Sequence, residues 1–428
     1  MLYFATEPHK TIPCVFDEKI TLQLGRWRSP DHTVWMLETQ SVREKSKGEH
    51  IMKFKKTLAS VLCAAMMVTM VAGCGTSTSQ SSDSGAAETS DTTATSDTAA
   101  TSDTAAATDT TKSNGDYADT ITLVWYPNES AEDYEVAREE YARLIEQATG
   151  KKVEQKLTTD YAIAIEALAN GTAQICFMGA QGYIEAKAAN DAVEPLFVNS
   201  GASGTLDDAL YYSFLAVNKG SETEYADGDS YSIDNIEGKR MSFVSNSSTS
   251  GFKVPTSSII GHFADMNLTE DDLVEGGEGM LFSQVLFGGS HQGSAFNLLS
   301  GKADVAAFCD TEIAPYAHCV EGEANATGSV YAINDDASDP FSSVTGKEFV
   351  IIQSTPVLNG PFAYNSEALD PDDVKAIQDL FTSDEVAENE LIFVPEDSDG
   401  VGMFEKTDSE HFVLVEDSWF DPIRDLSK

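Results

Sequence analysis

Strand and helix patterns alternate from residue 121 onward, and this alternation limits the fold more than any other feature of the chain. Ile121 to Tyr126 is a short apolar strand pattern, and Glu132 to Ala148 follows with apolar residues at helical spacing and Gly150 as a stop. Repeated units of strand, helix and strand are typical of sheets covered by helices. The sequence therefore predicts an α/β fold with mostly parallel sheets.

The same order of elements returns further along the chain. Strand patterns lie at residues 152–157, 174–178, 241–244 and 303–308, and helical patterns lie at 161–169, 255–263, 294–300 and 371–381. Residues 168–175 and 299–305 both give a helix end, a glycine turn and a buried strand, which predicts two similar lobes. We expect Phe349 to Ile352 to return the chain to the first lobe. The cleft between the lobes is the expected ligand site, because open α/β sheets bind ligands at the carboxyl ends of their strands.

The composition excludes some classes of function. The chain has 70 acidic and 27 basic residues and a formal net charge of −43. This charge repels nucleic-acid phosphates and leaves no basic face to bind them. The six cysteines form no CxxC pair and no Cys/His array, so we expect neither a disulfide scaffold nor a metal site, and no cofactor.

An export signal precedes the predicted folded body. Residues 52–56 are a short basic segment, and residues 58–72 are an apolar run of 15 residues, too short for an uncleaved membrane-spanning helix, which needs about 20. The run ends in Val71-Ala72-Gly73-Cys74, which is similar to the lipobox of bacterial lipoproteins. That similarity implies a signal peptide at residues 52–74 and lipidation of Cys74, which becomes the mature N-terminus.

The segments on either side of this signal have different origins. Residues 1–51 hold seven Lys/Arg and seven Asp/Glu without a periodic segment, and our hypothesis is that translation starts at Met52 and that these residues are a spurious extension. Residues 75–118 are a tract of Ser, Thr, Ala and Asp that cannot bury a core. We expect this tract to be a disordered tether with an r.m.s. span of about 35 to 40 Å.

The most informative motif is Ser248-Thr249-Ser250-Gly251, between a strand pattern and a helix that begins near Pro255. Unpaired N–H groups at a helix start, together with three hydroxyl groups, can donate hydrogen bonds to a tetrahedral oxyanion without any formal positive charge. An ordinary Ser-rich helix cap is the alternative interpretation. The segment is not a Walker loop, because the chain has no GxxxxGK[ST].

Four further residues are candidates for the same site. His291 lies in a Gly- and Ser-rich segment before a helix pattern, Tyr161 begins another helix, and Tyr211 and Glu312 lie next to strand patterns. Each of them also has an ordinary structural interpretation, because aromatic residues usually pack and acids at strand ends usually cap or face water.

With these motifs, residues 121–424 resemble the phosphate-, phosphite- and phosphonate-binding lipoproteins of ABC importers, a branch of the type II periplasmic binding proteins. The segments that carry the resemblance are Ser248 to Gly251 with Pro255, the block from Gly289 to Val305, and Thr159 to Tyr161. The resemblance implies a two-lobed α/β fold with a hinge of two crossovers. It divides the folded body into residues 119–217 for the first part of lobe 1, 218–346 for lobe 2 and 347–428 for the return to lobe 1.

The resemblance also implies a function. A member of this family is no enzyme; it is a monomeric receptor, lipid-anchored to the outer face of the bacterial cell membrane, that delivers a small phosphorus oxyanion to an ABC permease and its ATPase. The residues that inherit ligand-binding roles are Ser248, Thr249, Ser250, His291, Tyr161 and Tyr211, with Tyr212 in place of Tyr211 if the register slips by one.

One departure from the family bears on the ligand. Aminophosphonate binders of the family place acids around the ammonium group of the ligand, one of them in the segment that here spans residues 354–361 and contains no acid. Glu312 matches the other acid. A single acidic partner favours phosphate, phosphite or a small phosphonate with a neutral substituent over an aminoalkyl ligand.

Other functions remain open on the residues alone. A binder of this fold could take another solute, such as a sulfonate or a thiamine-precursor-like molecule, or serve a sensor kinase. An exported phosphoesterase or hydrolase is the alternative from a different class, but GxSxG, HExxH and a dense Asp/His set are absent. Cys309 and Cys319 could pair outside the cell, whereas Cys176 lies in a buried strand pattern and is expected in the core.

Overall fold

The computed structural model describes residues 117–130, 132–395 and 403–427, together with the backbone of two short strands near the N-terminus. The two strands pair antiparallel and belong to a unit separate from the one that begins at Thr104. The signal peptide predicted at 52–74, the lipidation site Cys74 and nearly all of the tether predicted at 75–118 lie outside the described residues.

The strands and helices follow the predicted order closely. In chain order the strands are β1 (Gln23–Arg26), β2 (Trp35–Glu38), β3 (Thr120–Trp125), β4 (Lys152–Leu157), β5 (Ile175–Phe177), β6 (Val193–Asn199), β7 (Leu210–Asn218), β8 (Ala226–Asp227), β9 (Ser230–Tyr231), β10 (Arg240–Phe243), β11 (Gln284–Phe287), β12 (Val305–Cys309), β13 (Ala317–Glu321), β14 (Val330–Ile333), β15 (Glu348–Leu358), β16 (Phe362–Asn365), β17 (Phe393–Pro395), β18 (Phe404–Lys406) and β19 (Phe412–Val413). The α-helices are α1 (Glu135–Thr149), α2 (Tyr161–Ala169), α3 (Ala180–Ala189), α4 (Val254–His262), α5 (His291–Leu299), α6 (Pro371–Phe381), α7 (Asp384–Ala387) and α8 (Asp421–Asp425), and a π-helical turn, Thr249–Lys253, leads into α4.

Two large sheets form two lobes. The first sheet has the order β19-β6-β16-β5-β3-β4, and the second has the order β11-β10-β12-β7-β15-β14-β13. In the first sheet β3 is parallel to β4 and β5, and in the second β10 is parallel to β11 and β12. The other neighbours in both sheets are antiparallel, so the prediction of mostly parallel sheets is wrong beyond these triplets. The reason is that later strands return directly or from the other lobe, without the crossover helix that a parallel pair needs.

The crossovers between the lobes lie at different residues from those predicted. β7 and β15 pair antiparallel from Leu210 and Leu358 to Asn218 and Phe349, so both strands belong to the second lobe rather than to the first. The chain therefore leaves the first lobe after β6 and returns to it at β16. A buried apolar strand pattern fits either sheet equally well, which is why the sequence did not separate these cases.

The two crossovers are joined where they run side by side. The Asn359 side-chain amide donates to the carbonyl oxygen of Asn199 at 2.9 Å, and its backbone N–H donates to the carbonyl of Ala209 at 3.1 Å. This junction forms the base of the cleft between the lobes.

The residues of each lobe form two hydrophobic clusters, and one cluster of the first lobe also includes Val244 and Val254 of the second lobe. In the first lobe Trp125 packs edge-on against Tyr141 of α1 and Phe362 of β16, with ring centroids 5.5 and 5.9 Å apart. In the second lobe Phe308 packs in the same way against Phe214 and Phe349. These rigid cores fix the loops that follow the carboxyl ends of the central strands. No helix in the described part of the chain is long and apolar enough to span a membrane.

Candidate functional site

The loops at the carboxyl ends of the central strands of both lobes meet around one cavity of about 80 Å³. All seven residues predicted for the ligand site line this cavity: Ser248, Thr249, Ser250, His291, Tyr161, Tyr211 and Glu312. Tyr212 lines a neighbouring depression instead, so the structure places Tyr211 and not Tyr212 at the cavity. Lining residues that the sequence analysis did not single out include Tyr126, Asn128, Glu129, Tyr134, Gly179, Cys309, Thr311 and Asn359.

The Ser-Thr-Ser turn forms one wall of the cavity. Ser248 is the N-cap of the π-helical turn, and its Oγ accepts a hydrogen bond from the Gly251 N–H at 3.1 Å, so the hydroxyl proton is available to another acceptor. Thr249 and Ser250 are the first residues of the turn, where N–H groups have no acceptor inside the helix. A side chain at position 251 would collide with Val244, because a Cβ there would lie 2.2 Å from Cγ2. Glycine therefore allows the turn to fold against the end of β10.

Thr249 also connects the two lobes. Its Oγ1 accepts a hydrogen bond from the backbone N–H of Gln181, in the first turn of α3, at 2.9 Å. The approach is close, because a Cβ on Gly179 would lie 2.7 Å from the same oxygen. The structure therefore holds the lobes closed around the cavity, with the hydroxyl group of Thr249 at their contact.

His291 presents an uncharged donor to the cavity. Its Nδ1 accepts a hydrogen bond from the backbone N–H of Cys309 at 3.1 Å, so the single proton of the neutral ring lies on Nε2. Nε2 lies 3.5 Å from Ser248 Oγ. Burial lowers the pKa of His291 to about 3, because desolvation disfavours the charged ring. The imidazole is therefore a neutral N–H donor at physiological pH.

The two tyrosines are also neutral hydroxyl groups. Tyr161 donates to Asn128 Oδ1 at 2.9 Å, and the same oxygen accepts the backbone N–H of His291 at 3.3 Å across the cleft. Tyr211 lies within hydrogen-bonding reach of Ser250 and Thr249. Burial raises the pKa of both tyrosines above the ordinary value.

A second wall carries two acids, one more than the sequence analysis identified. Glu312 follows β12 in the second lobe, and Glu129 follows β3 in the first; both line the cavity. Burial raises the pKa of Glu312 to about 7, and burial followed by the charge of Glu312 raises the pKa of Glu129 well above its usual range. The expectation of a single acid at the site is therefore wrong, and so is the argument against an aminoalkyl phosphonate that was based on it. Glu129 could have been found from its position directly after the first strand pattern, at the carboxyl edge of the sheet.

Lysine and arginine are absent among the described residues that line the cavity. Within the described ranges, no group of three or more His, Cys, Asp and Glu residues is placed to hold a metal ion. Cys176, Cys309 and Cys319 are free thiols in the structure, so the pairing considered for Cys309 and Cys319 is not formed.

Comparisons with known proteins agree with this architecture. Residues 123–420 match the family described as ABC transporter, phosphonate, periplasmic substrate-binding protein. The chain is 28% identical over 205 residues to the phosphate-import protein PhnD of Mycolicibacterium smegmatis, an alignment that covers 46% of this chain and 57% of that relative. It therefore spans little more than half the length of that relative.

The fold is also found among solved structures. A binding protein component of an ABC phosphonate transporter from Pseudomonas aeruginosa superposes with a TM-score of 0.50 at 19% identity, covering 72% of this chain and 85% of that one. Its similarity to this chain concerns the two-lobed fold.

Proposed function

The chain belongs to the periplasmic phosphonate-binding proteins of ABC transporters, and on this premise we propose that it captures a phosphonate, phosphite or phosphate between its lobes and delivers it to a permease. The observation that carries the proposal is the convergence of uncharged N–H and O–H donors from both lobes on one closed cavity. Phosphorus oxyanions present three or four acceptor oxygens, and hydrogen bonds to a charged acceptor are roughly twice as strong as neutral ones.

The size of the cavity supports a small ligand. A volume of about 80 Å³ has room for several water-sized groups. This space suits a tetrahedral anion with a short substituent. A sulfonate has the same tetrahedral chemistry, and it and a thiamine-precursor-like molecule are competitors to be tested.

The acidic surface does not prevent binding of an anion. Exposed charges more than about 8 Å away are largely screened at physiological salt, whereas hydrogen bonds inside a closed cleft act at contact distance. Because no lysine or arginine lines the cavity, no ion pair has to break when the ligand leaves. This arrangement favours fast release to a permease.

The geometry of Ser248 and His291 supports a binder rather than a hydrolase. The two side chains are close enough to suggest a serine nucleophile and its base. A base must accept the serine proton on the nitrogen that faces it, but Nε2 carries the ring proton, because Nδ1 accepts the Cys309 N–H. His291 therefore donates toward the cavity, as an anion receptor needs, and we propose that the protein is not an enzyme.

Thermal unfolding of the purified protein with added ligand tests this function. Phosphate, phosphite or methylphosphonate at a hundred times its dissociation constant stabilises the closed protein by about 2.7 kcal/mol, which raises the melting temperature. Ser247→Ala, next to the motif but outside the cavity, keeps the shift. If none of the three anions, and no sulfonate, changes the melting temperature, the proposed function is wrong.

We further propose that a lipid on Cys74 anchors the receptor outside the cytoplasmic membrane, where it serves the permease and ATPase of an ABC importer as a monomer. The lipobox-like segment Val71 to Cys74 and the polar tract after it support this arrangement. Cys74→Ser is expected to release the protein from membranes into the soluble fraction. Membrane association unchanged by this substitution, with no lipid mass on Cys74, would contradict the anchor.

A further inference from the structure

Glu129 and Glu312 face each other across the cleft, one from each lobe. Glu129 lies in the 3₁₀ turn after β3, and Glu312 lies in the loop after β12. The two side chains line the same cavity in the closed protein, and the charge of Glu312 acts on Glu129. Glu129 is 3% exposed, and its Oε2 is buried without an N–H or O–H donor among the described residues.

The groups around the pair do not supply a full countercharge. Gln292 Nε2 donates to Glu312 Oε2 at 3.2 Å, and the hydroxyl of Tyr134 is a second donor to Glu312. The Arg138 guanidinium donates to the backbone carbonyl of Glu129. The other ionisable groups that act on the pair, or on which the pair acts, are neutral or acidic: Tyr126, Tyr161, Cys176, Cys309, Asp310 and Tyr316. The ring of His291 is neutral as well, and the backbone N–H of His291 donates to the side chain of Asn128, the residue before Glu129.

Two carboxyl groups that are shielded from water in one small cavity do not both remain ionised. Each charge loses hydration and the two repel, so such a pair holds at least one proton. An anionic ligand in the same cavity adds a third negative charge. When the lobes separate, the acids move apart into solvent, and each regains an ordinary carboxyl environment.

We propose that Glu129 and Glu312 are a specificity-determining pair that makes lobe closure require one proton, so that the site accepts its oxyanion together with a proton from solvent. This inference rests on the proposed function. It deepens that function, because it defines the charge state in which the ligand complex forms: the lobes close over the anion only when one carboxyl of the pair is protonated.

The direction of the pH dependence follows from where the proton is held more tightly. In the closed protein burial raises the pKa of Glu312 to about 7, and in the open protein the acid returns toward its usual value of about 4.3. Closure therefore takes up a proton between these values, and affinity falls by up to about tenfold per pH unit as the pH rises from about 5 to about 7.

Asp310 is a third acid near the pair, and burial raises its pKa to about 6. Its partners are the backbone N–H of Tyr212 at 2.9 Å and the side chain of Asn325 at 3.0 Å, both in the second lobe. Asp310 is the same in every variant compared below, so a comparison of wild type with a variant isolates the effect of the pair.

Calorimetric titration with methylphosphonate between pH 5 and pH 8 tests the proposal. The proteins compared are wild type, Glu312→Gln, Glu129→Gln and the control Glu135→Gln, which changes an exposed acid nearby. Each titration is repeated in two buffers of different ionisation enthalpy, because the difference in binding enthalpy between them gives the number of protons taken up. We expect the wild type and the control to take up close to one proton more than either cavity variant near pH 6. We also expect the affinity ratio of wild type to variant to change by up to a hundredfold from pH 5 to pH 7. This ratio cancels the protonation of the ligand itself.

The same experiment separates two failures. Phosphorus NMR of the free ligand gives the pH dependence of affinity that ligand protonation alone would cause. If the wild-type affinity varies with pH no more than this, the proton requirement is wrong, whether or not the variants bind. Equal proton uptake by wild type and a binding variant would overturn it as well. Absence of wild-type binding at every pH would instead remove the proposed function on which the pair depends.

Discussion

Two walls of one cavity reach electrical neutrality in opposite ways. On the donor wall, formed by Ser248 to Ser250 and His291, every group that faces the cavity is uncharged, and burial keeps the histidine in its neutral form. On the acid wall, Glu129 is buried and Glu312 is half-buried, and desolvation raises the pKa of both carboxyl groups. Burial thus removes positive charge from one wall and negative charge from the other. The result is a site that recognises an anion through hydrogen bonds rather than through ion pairs.

The largest effect is expected from placing a charge on the donor wall. Ser248→Asp keeps a good helix N-cap but puts a carboxylate where the oxyanion binds. Like charges in contact cost several kcal/mol, so we expect ligand affinity to fall by roughly a hundredfold or more. Calorimetric titration with methylphosphonate measures the loss.

Ser248→Asn is the matched control, because it caps the helix without a charge. It is expected to lose much less affinity than Ser248→Asp. Equal affinities for the two variants would show that the ligand does not lie against the Ser-Thr-Ser turn.

Removing the contact between the lobes on the donor wall is the next prediction. Thr249→Val keeps the shape of the side chain but leaves the Gln181 N–H without an acceptor in the closed protein. A buried donor without a partner costs about 1–3 kcal/mol, so affinity should fall by about tenfold to a hundredfold. Open lobes do not make this contact. The melting temperature of an open, ligand-free protein should therefore change little on this substitution. Unchanged affinity would contradict the closed arrangement of the lobes.

His291→Gln sharpens the comparison of charge states between the walls. We expect about a tenfold loss of affinity, which corresponds to about 1.5 kcal/mol, the lower end of the contribution of one hydrogen bond to a charged acceptor. Because burial lowers the pKa of His291 to about 3, the loss should be the same at every pH from 5 to 8. A loss that grows as the pH falls below 7 would show that the ring binds as a cation.

The smallest effect separates two neighbouring tyrosines. Tyr211→Phe removes a hydroxyl from the cavity and should weaken binding about fivefold, whereas Tyr212→Phe should leave affinity unchanged, because Tyr212 does not line the cavity. Competition titrations on the two purified variants measure both effects. A larger loss of affinity for Tyr212→Phe than for Tyr211→Phe would show that Tyr212 rather than Tyr211 contacts the ligand.

The sequence predicted the donor wall better than the acid wall, and the reason is physical. Ser248, Thr249 and Ser250 are adjacent in the chain and begin a helix, so a local pattern identifies their shared role. Glu129 and Glu312 are separated by most of the folded body, and only the pairing of lobes brings them together. The one local signal for Glu129 is its position after the first strand pattern, and that signal is weak, because a lone acid after a strand has many ordinary roles.

The same limit explains the errors in the fold. The helices beginning at Tyr161 and Pro371 were predicted with the observed bounds, because caps and apolar spacing are local signals. The assignment of β7 and β15 to lobes required knowing which strands pair, and pairing depends on residues more than a hundred positions apart. Alternation of strands and helices likewise indicated two lobes but not the antiparallel strands added to each parallel triplet.

A crystal structure of the protein with bound methylphosphonate tests the central claim most directly. If uncharged donors bind the anion, its phosphonate oxygens lie within about 3.2 Å of three groups: the Ser248 hydroxyl, the N–H groups at the start of the π-helical turn and Nε2 of His291. The methyl group, rather than an oxygen, should then lie nearer Glu129 and Glu312. Phosphonate oxygens bound by a lysine or arginine, or a ligand outside the cleft with the three hydroxyl groups turned away from it, would contradict the account.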